Sequence, residues 1–415
     1  MRKINTRNYQ LATRATPRAV NRRIVLNLIR EHQPISRAEL ARRMNVRRAA
    51  LTEIVRDLLS ANDVYETGPA ASVRGRRPTM LRIRTSGRLA VAVDVRPGRT
   101  SIALAEFGGD VLHRAAFDTP TEPDDLAQQI ATHVGAILAS RTSSNGEPVS
   151  CHGIGIVVPG MVDRRSGQVL YAPRLGWRDV SLRSAVMERL HLPVMVESAP
   201  IACALARLWT MTGESRAVNN FAYVSISDGV GVAIVMSGEV LRGEHHTAGE
   251  LGHVSLDPRG PLCACGKRGC WEAFACNSAT SARYVDEVSG ARTDASTPDD
   301  RVRSDRTLQV EEIIRRAQLG EPAAVATLTE TGKQIGRGLA AVVGAFNPKR
   351  IYVGGEITAA WSLLEPSIRA ALTEEALTDP ARATPVYPDA NPAEYRLLGA
   401  VALVSAPSFA ALRVG

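Results

Sequence analysis

Four residues with the side-chain types that zinc prefers lie between positions 253 and 270. Cys263, Cys265 and Cys270 fall within eight residues, and His253 precedes the first of them by ten positions. Three thiolates and one imidazole can fill a tetrahedral zinc site without leaving a position for water. Nearby glycines give the backbone the freedom to turn the sulfurs toward one point. The spacing therefore predicts a closed, structural zinc site that shapes a loop and performs no chemistry.

Two other interpretations of these cysteines are buried thiols beside a surface histidine, or a disulfide. Cys263 and Cys265 are too close to pair easily with each other, and the chain shows no secretory signal. The remaining cysteines, Cys151, Cys203 and Cys276, are scattered, which is not the pattern of a disulfide framework. We expect these three to be small buried apolar residues rather than reactive thiols.

The residues around the cysteine cluster resemble the signature of the ROK family, which comprises repressors and sugar kinases. The resemblance rests on Glu250-Leu-Gly-His253 followed by Cys263-x-Cys265-Gly-x-x-Gly-Cys270-x-Glu272. It implies that Glu250, His253 and Glu272 contact the hydroxyl groups of a sugar. The alternative is that Glu250 and Glu272 stabilise the zinc loop by contacting the metal ligands, without binding a sugar.

The composition limits the class of protein. The 415 residues allow two or three domains and a large core. No apolar run approaches the ~20 residues of a membrane span, and the arginine-rich start lacks the apolar core of a signal peptide. We therefore expect a soluble cytoplasmic protein without membrane contact.

Positive charge is concentrated at the N-terminus. Residues 1–88 contain 20 Lys and Arg against 6 Asp and Glu, whereas the remainder contains 31 against 36. Residues 1–19 have little apolar content, so we predict a flexible basic tail there. A basic module on a mildly acidic body indicates a polyanion-binding head on a separate sensing or catalytic domain.

Three predicted helices follow the tail. Apolar residues recur at helical spacing over residues 20–34, and Ser36 with Glu39 forms a capping box before a short second helix, Arg37–Met44. A tight turn leads to a third helix at about Arg47–Ala61. This order predicts a helix-turn-helix whose third helix lies in the major groove of DNA.

The start of the third helix carries the residues that we expect to contact DNA. Arg47, Arg48 and Thr52 occupy its outward positions, where side chains reach base edges or phosphates. The alternative is a small helical bundle with a solvated arginine face. The charge of the module and the segment that follows argue against that alternative.

Two short predicted strands, Val64–Glu66 and Met80–Ile83, indicate the wing of a winged helix. Between them lies Arg74-Gly-Arg-Arg-Pro78, in which Arg74, Arg76 and Arg77 could enter a narrow minor groove. The repressor branch of the ROK family has a Gly-Arg-Pro element at this position, and the sugar kinases generally lack the module. The features together predict binding to double-stranded DNA.

Strands alternating with helices from Leu89 onward, among them a small-residue helix over Gly332–Phe346, predict an α/β architecture with two lobes and a cleft between them. This resembles the actin-like, ribonuclease-H-like fold of ROK proteins over nearly all of residues 20–410. The predicted division is a tail (1–19), a winged helix-turn-helix (20–85), a first lobe (86–200) joined by a final helix at about 395–412, and a second lobe (201–394) with the zinc loop 253–270 and a polar insertion at about 285–308.

The kinase motifs of the family are altered here, so we predict no catalytic residue. Kinases place an Asp-x-Gly-Gly-Thr turn on the ATP phosphates, whereas Asp94 is followed by Val95-Arg96-Pro97-Gly98, and Ser227-Asp228-Gly229 replaces a Gly-Thr-Gly turn. The kinase Asn-Asp pair that carries the general base corresponds to Ser198-Ala199. Alanine cannot accept a proton.

The sequence as a whole predicts a DNA-binding transcription regulator of the ROK type, with repression as the expected action. Homodimers or homotetramers would present paired heads to a pseudo-palindromic operator. The body would sense a sugar or a regulatory protein. The rival interpretations are a ROK sugar kinase with a regulatory DNA-binding head, and a regulator whose body serves only for dimerisation.

Overall fold

The N-terminal head is a three-helix unit with a small sheet. Its elements are α1 (Arg18–His32), β2 (Ile35–Ser36), α2 (Arg37–Arg43), α3 (Arg48–Ser60), β3 (Val64–Thr67) and β4 (Met80–Ile83). The Ser36 hydroxyl caps α2 by accepting a hydrogen bond from the Glu39 amide at 3.1 Å. Apolar side chains from all three helices are fully buried between them, among them Leu28, Leu40 and Leu51. The predicted winged helix-turn-helix architecture is confirmed.

The computed structural model describes residues 2–3, 18–68, 78–140, 151–210, 219–244, 247–290, 308–389, 392–409 and 413–414. The wing arginines Arg74, Arg76 and Arg77 lie outside the described residues. In the predicted tail, Arg2–Lys3 (β1) pairs antiparallel with Arg413–Val414 (β18), so this part of the tail has a strand that composition did not reveal. Helix α1 begins two residues earlier than the apolar pattern indicated.

The first lobe contains a five-stranded mixed sheet in the order β12-β8-β5-β6-β7. The strands are β5 (Leu89–Val95), β6 (Arg99–Glu106), β7 (Val111–Asp118), β8 (Cys151–Val158) and β12 (Val194–Ser198), with helices α4 (Pro123–Ala139) and α5 (Leu182–Leu190). Val91 and Val93 pack beneath α4 and α5, whereas Ala90 and Ala92 face the other side of the sheet. These alanines leave room there for two long helices.

Those two helices are α6 (Ala199–Thr210) and α13 (Pro392–Phe409), which pack on each other and on the first sheet. Gly155 of β8 lies so close to α13 that an added Cβ would come within 2.0 Å of the Ala400 carbonyl oxygen. A residue with a side chain at this position would push the helix away from the sheet. Small residues on both elements therefore fix how closely α13 approaches the first lobe.

A small antiparallel sheet of β9 (Met161–Asp163), β10 (Gln168–Ala172) and β11 (Trp177–Val180) extends the first lobe toward the cleft. The sequence interpretation did not include it, because strands of three to five residues give little periodicity. A 3-10 turn, Pro173–Leu175, joins β10 to β11 and carries Arg174.

The second lobe repeats the plan with a sheet in the order β15-β14-β13-β16-β17. Its strands are β13 (Phe221–Ile226), β14 (Val230–Met236), β15 (Glu239–Val240), β16 (Ile351–Gly354) and β17 (Val386–Pro388). Its helices are α7 (Trp271–Ala275), α8 (Asn277–Ser289), α9 (Val310–Gln318), α10 (Pro322–Phe346), α11 (Trp361–Glu375) and α12 (Asp379–Arg382). The predicted two-lobed α/β body is thereby confirmed.

Two sequence-based boundaries in this lobe were wrong. Helix α8 continues to Ser289, so Val285–Ser289 is helical rather than part of a polar insertion; residues 291–307 lie outside the described residues. Helix α10 begins at Pro322, ten residues before the expected Gly332. Threonine in this segment is a residue type that is common in loops. The buried Thr331 hydroxyl is nevertheless satisfied within the helix, because it donates a hydrogen bond to the Thr327 carbonyl at 2.9 Å.

The head is packed against the first lobe through one shared apolar core. Residues of α1, such as Leu28, belong to the same cluster as Leu397 and Val401 of α13. At the end of α6, the Trp209 ring lies under the Arg30 guanidinium at 5.1 Å, and its indole nitrogen donates to the Phe107 carbonyl. Both α6 and α13 therefore reach from the body to the head. No helix of the described residues is long and apolar enough to cross a membrane.

Candidate functional site

The four predicted metal ligands come together at one end of the second lobe. The ligand atoms of His253, Cys263, Cys265 and Cys270 all lie within 4.8 Å of one another. The Cys265 and Cys270 sulfurs are 3.7 Å apart, and the Cys263 sulfur is 3.6 Å from His253 Nδ1. Ligands about 2.3 Å from one tetrahedral ion have separations of this size. The cluster could therefore hold a metal ion.

The loop geometry explains how residues ten positions apart meet. The Cys263 amide donates to the Lys267 carbonyl at 2.8 Å, which closes a tight turn around Cys265. Gly269 has a positive φ of 71°, and an added Cβ would come within 1.6 Å of the Asp257 carbonyl oxygen, so only glycine fits there. Burial raises the pKa of the Cys263 thiol. A cation would favour the thiolate that burial alone disfavours.

The predicted sugar contacts lie beside this cluster. Glu250 precedes the 3-10 turn Leu251–His253, of which His253 is the last residue. Gly252 of this turn packs so tightly on β14 that an added Cβ would come within 2.0 Å of the Val230 carbonyl oxygen. Although Glu250 retains exposed surface, loss of solvation and then the Glu272 carboxylate raise its pKa to about 7. Its carboxyl group thus lies close enough to the Glu272 carboxylate to be affected by its charge.

The Glu272 carboxylate is more buried, and has more contacts within the protein, than a carboxylate that only binds a ligand would need. It is 8% exposed, accepts a hydrogen bond from the Val230 amide at 3.0 Å, and lies 3.6 Å from the Cys263 sulfur. These contacts favour the alternative in which Glu272 supports the cysteine loop. Among the described residues, the Glu250 carboxylate has no such pair of internal contacts and remains a candidate for a ligand. His253 has its Nδ1 at the Cys263 sulfur, so only its other ring nitrogen remains a candidate.

The position of the kinase base faces the cleft without a proton acceptor. Ala199 is the first residue of α6 and is buried. The neighbouring Glu197 is 1% exposed and accepts a hydrogen bond from Arg242 at 2.6 Å. An ion-paired carboxylate that is held by the opposite lobe cannot act as a free general base. Nothing in the sequence indicated this pair, because Arg242 lies 45 positions from Glu197.

The two altered nucleotide-binding turns, after Asp94 and at Ser227, are connected to each other through Glu356. Arg96 of the first lobe donates to Asp94 at 3.0 Å and to Glu356 of the second lobe at 2.5 Å. The other Glu356 oxygen accepts from the Ser227 hydroxyl at 2.6 Å and from the Asn277 amide at 3.1 Å. We call this set the interlobe latch. The polar side chains at these turns are thus hydrogen-bonded to one another, so they are not free to contact phosphates.

The latch continues into the C-terminal helix. Arg396 of α13 is 8% exposed, donates to Asp94 at 2.6 Å and to the Val95 carbonyl at 3.1 Å. Sequence analysis placed Arg96 in the altered first turn but missed Glu356 and Arg396. Glu356 is 260 positions from Arg96, and Arg396 is 302 positions from Asp94, so no local sequence pattern predicts these pairs.

Removing one member of the latch should destabilise the folded protein. The side chains of Arg96 and Glu356 are 25% and 19% exposed. Because a partly buried charge loses its partner, Arg96→Ala should lower the free energy of unfolding by about 1–3 kcal/mol, measured by denaturant titration. The matched control is Arg315→Ala, which breaks the exposed pair with Glu312 and should cost far less stability, because solvent screens an exposed pair.

The pH dependence of the latch follows from Glu356. Burial alone would raise its pKa, but hydrogen bonds from Ser227 and the charge of Arg96 outweigh this and hold the pKa below the ordinary 4.5. The stabilisation is therefore present above pH 4.5 and is lost as the pH falls through the lowered pKa. An Arg96→Ala effect that is as small as the control at pH 7 would contradict the latch.

The predicted DNA-contacting residues form one exposed surface on the head. Arg47 is the residue before α3, Arg48 is its first residue, and Thr52 follows one turn later; all three are exposed. The Thr52 hydroxyl donates to the Arg48 carbonyl at 3.2 Å. None of the described carboxylates forms an ion pair with Arg47 or Arg48, so these guanidiniums remain available to bases or phosphates.

Comparison with known proteins identifies both parts of the chain. The profile of the ROK family matches residues 90–406, and that of the MarR family matches residues 24–65. The xylose repressor of Bacillus spizizenii is 28% identical over 363 residues, which span 86% of this chain and 88% of that protein.

Two solved structures of ROK family proteins are similar to this chain. A ROK family transcriptional regulator, described as a homologue of the E. coli MLC protein, is 28% identical with a TM-score of 0.78 over 94% of this chain and 96% of that chain. A ROK family glucokinase from Streptomyces griseus in complex with glucose and AMPPNP is 25% identical with a TM-score of 0.64, over 76% of this chain and 98% of that chain. This chain belongs to the ROK family, and its head is a helix-turn-helix unit of the MarR type.

Proposed function

We propose that this protein is a sequence-specific DNA-binding transcriptional regulator, acting as a repressor, whose kinase-derived body senses a ligand and does not catalyse. The observation that carries the proposal is the exposed Arg47–Arg48 surface on a head whose core is continuous with a body that has Ala199 at the base position. The similarity to a xylose repressor and to a ROK family transcriptional regulator supports the regulator over the kinase.

The head is proposed to read DNA with two elements. Arg47, Arg48 and Thr52 would enter the major groove with the amino end of α3. Arg74, Arg76 and Arg77 of the wing would contact the minor groove, where a narrow groove attracts guanidiniums. Two heads in a homodimer, or in a homotetramer, would recognise a pseudo-palindromic operator.

The body is proposed to bind a carbohydrate in the cleft, with Glu250 and His253 at its hydroxyl groups; a regulatory protein is the alternative effector. Helix α6 begins at Ala199 in this cleft and ends near Trp209, which contacts Arg30 of the head. A ligand that changes the angle between the lobes would therefore move the base of the head. Specific DNA occupancy would change through the spacing of the two heads.

The His253, Cys263, Cys265 and Cys270 cluster is proposed to hold a structural zinc ion. Thiolate and imidazole ligands favour zinc, and four protein ligands leave no open position for catalysis. Zinc would fix the loop that positions Glu250 and Glu272. His253 would contribute one ring nitrogen to the metal and keep the other for a ligand.

The proposal is tested by binding-site selection followed by ligand addition. The purified protein should select one two-fold-related DNA sequence from a random library, and at fixed salt it should bind this sequence at least about a thousandfold more tightly than random DNA. Titration with xylose, glucose and N-acetylglucosamine should identify a sugar that changes the affinity. ADP release with any of these sugars and ATP would instead support the kinase, and unselective DNA binding would refute the regulator.

A further inference from the structure

The outward side of helix α3 carries two charged residues that the DNA contacts proposed above do not include, Glu53 and Arg56. An α-helix turns by about 100° per residue, so residues three, four and seven positions apart lie on one side. Ala49, Glu53 and Arg56 have this spacing, and all three are exposed. The buried residues of the helix lie on the opposite side: Leu51, Ile54, Val55 and Leu58. Glu53 therefore lies near the middle of the side of α3 that faces away from the core of the head.

Glu53 places a negative charge on a surface whose other exposed residues are positive or neutral. Arg47 and Arg48 lie at the start of the helix, and Thr52 is uncharged. The structure describes α3 over its whole length, and the other acidic residue in it, Asp57, is only partly exposed. A carboxylate on a DNA-binding surface is repelled by the phosphates. Glu53 therefore weakens binding to DNA in general and needs a specific partner to compensate.

Arg56 lies beside this carboxylate and leaves it accessible. Arg56 Nη2 is 3.4 Å from Glu53 Oε1, and the side chains of Arg56 and Glu53 are 66% and 68% exposed. Solvent screens an exposed pair three residues apart on a helix, so the pair contributes little to stability. The contact engages one carboxylate oxygen and leaves the other for a hydrogen-bond donor. The positive charge of Arg56 also offsets part of the repulsion between Glu53 and phosphates.

The partner that suits an exposed carboxylate in the major groove is the amino group of a base. Cytosine presents its N4 amino donor there, whereas guanine presents the acceptors N7 and O6, and thymine presents the acceptor O4 and a methyl group. Adenine presents the donor N6 beside the acceptor N7, so a carboxylate meets one favourable and one unfavourable group. Cytosine is therefore the base whose major-groove edge best matches Glu53.

We propose that Glu53 is a specificity-determining residue, whose carboxylate accepts a hydrogen bond from the N4 amino group of one cytosine in each half of the operator. This inference rests on the proposed position of α3 in the major groove and adds a base to those that the helix reads. Arginines at the start of α3 favour guanine, so Glu53 gives the head a second kind of base contact. Because the carboxylate is repelled by sites without this cytosine, it increases specificity by lowering the affinity for other sequences.

Binding-site selection with the full-length native protein, Glu53→Ala and Glu53→Gln tests the assignment. One C·G pair in each half-site should lose its preference in Glu53→Ala, and in Glu53→Gln the cytosine should be replaced by adenine, because a glutamine amide pairs with N6 and N7 of adenine. In titrations of the native protein, exchanging this cytosine for thymine should weaken binding roughly ten- to a hundredfold. The same exchange should alter the affinity of Glu53→Ala by less than about threefold. Both variants should bind random DNA more tightly than the native protein, since a charge that repels phosphates is removed.

The control and the outcomes separate this inference from the proposed function. Glu66→Gln removes a carboxylate of the same head, on β3, that is ion-paired with Arg37, and it should leave every base preference unchanged. An unchanged thermal unfolding midpoint shows that each variant is folded. If the native protein selects an operator and both Glu53 variants select the same bases, or if the position that loses its preference is an A·T pair, the role of Glu53 is refuted and the DNA-binding function stands. If the native protein selects no sequence, both are refuted.

Discussion

Replacing Cys270 with serine should abolish metal binding and lower the free energy of unfolding by roughly 3–5 kcal/mol, because the loss of a structural metal is among the most damaging single changes. Cys270 is fully buried, and its sulfur is 3.7 Å from that of Cys265, so a serine leaves both the ion and the loop without support. Elemental analysis of the native protein, purified without added metal, should give about one zinc per chain. Thermal or denaturant unfolding measures the stability loss.

The matched control is Cys151→Ser, which changes a cysteine outside the cluster. The Cys151 sulfur donates to the Gly153 carbonyl at 3.4 Å, a contact that a serine hydroxyl can replace, so the metal content should be unchanged. Chelation of the native protein should reproduce the Cys270→Ser effect, and added zinc should reverse it. A native protein without metal, or a Cys270→Ser variant of unchanged stability, would contradict a structural site.

Substitution of the arginines at the start of α3 should change which DNA sequence the protein prefers. Each bidentate contact of a guanidinium with a base edge is worth about 1–3 kcal/mol, so Arg47→Ala or Arg48→Ala should reduce specific affinity by roughly ten- to a hundredfold. The affected base should become unselective, while binding to random DNA falls only slightly. Binding-site selection with each variant shows which position of the operator has lost its preference.

Two comparisons separate base reading from general charge. Arg382→Ala removes an arginine of the body that pairs with Asp379 and should leave DNA binding unchanged. Joint replacement of Arg76 and Arg77 by alanine should remove a preference for A·T-rich flanks and preserve the central base preference, since groove width rather than base edges is read there. Equal loss of affinity for all sequences in Arg47→Ala and Arg48→Ala would place these residues on phosphates instead.

The head could be predicted in most of its elements because its signals are local. The Ser36 cap and the apolar spacing of α1 and α3 lie within windows of a few residues, and the structure places these boundaries within two residues of expectation. The cysteine cluster was equally accessible, since its ligands are close in sequence. By contrast, the early start of α10 was missed because buried threonines and glycines in a tightly packed helix resemble loop residues.

The sequence by itself determined the residue types at each site: the His253 and cysteine ligands, the basic α3 surface, and alanine at Ala199 instead of a catalytic acid. Only the tertiary structure decided which distant charges meet. It joined Arg96 to Glu356, Arg396 to Asp94 and Arg242 to Glu197. The physical reason is that strand order and helix packing bring together residues that are far apart along the chain, and local periodicity contains no information about such pairs.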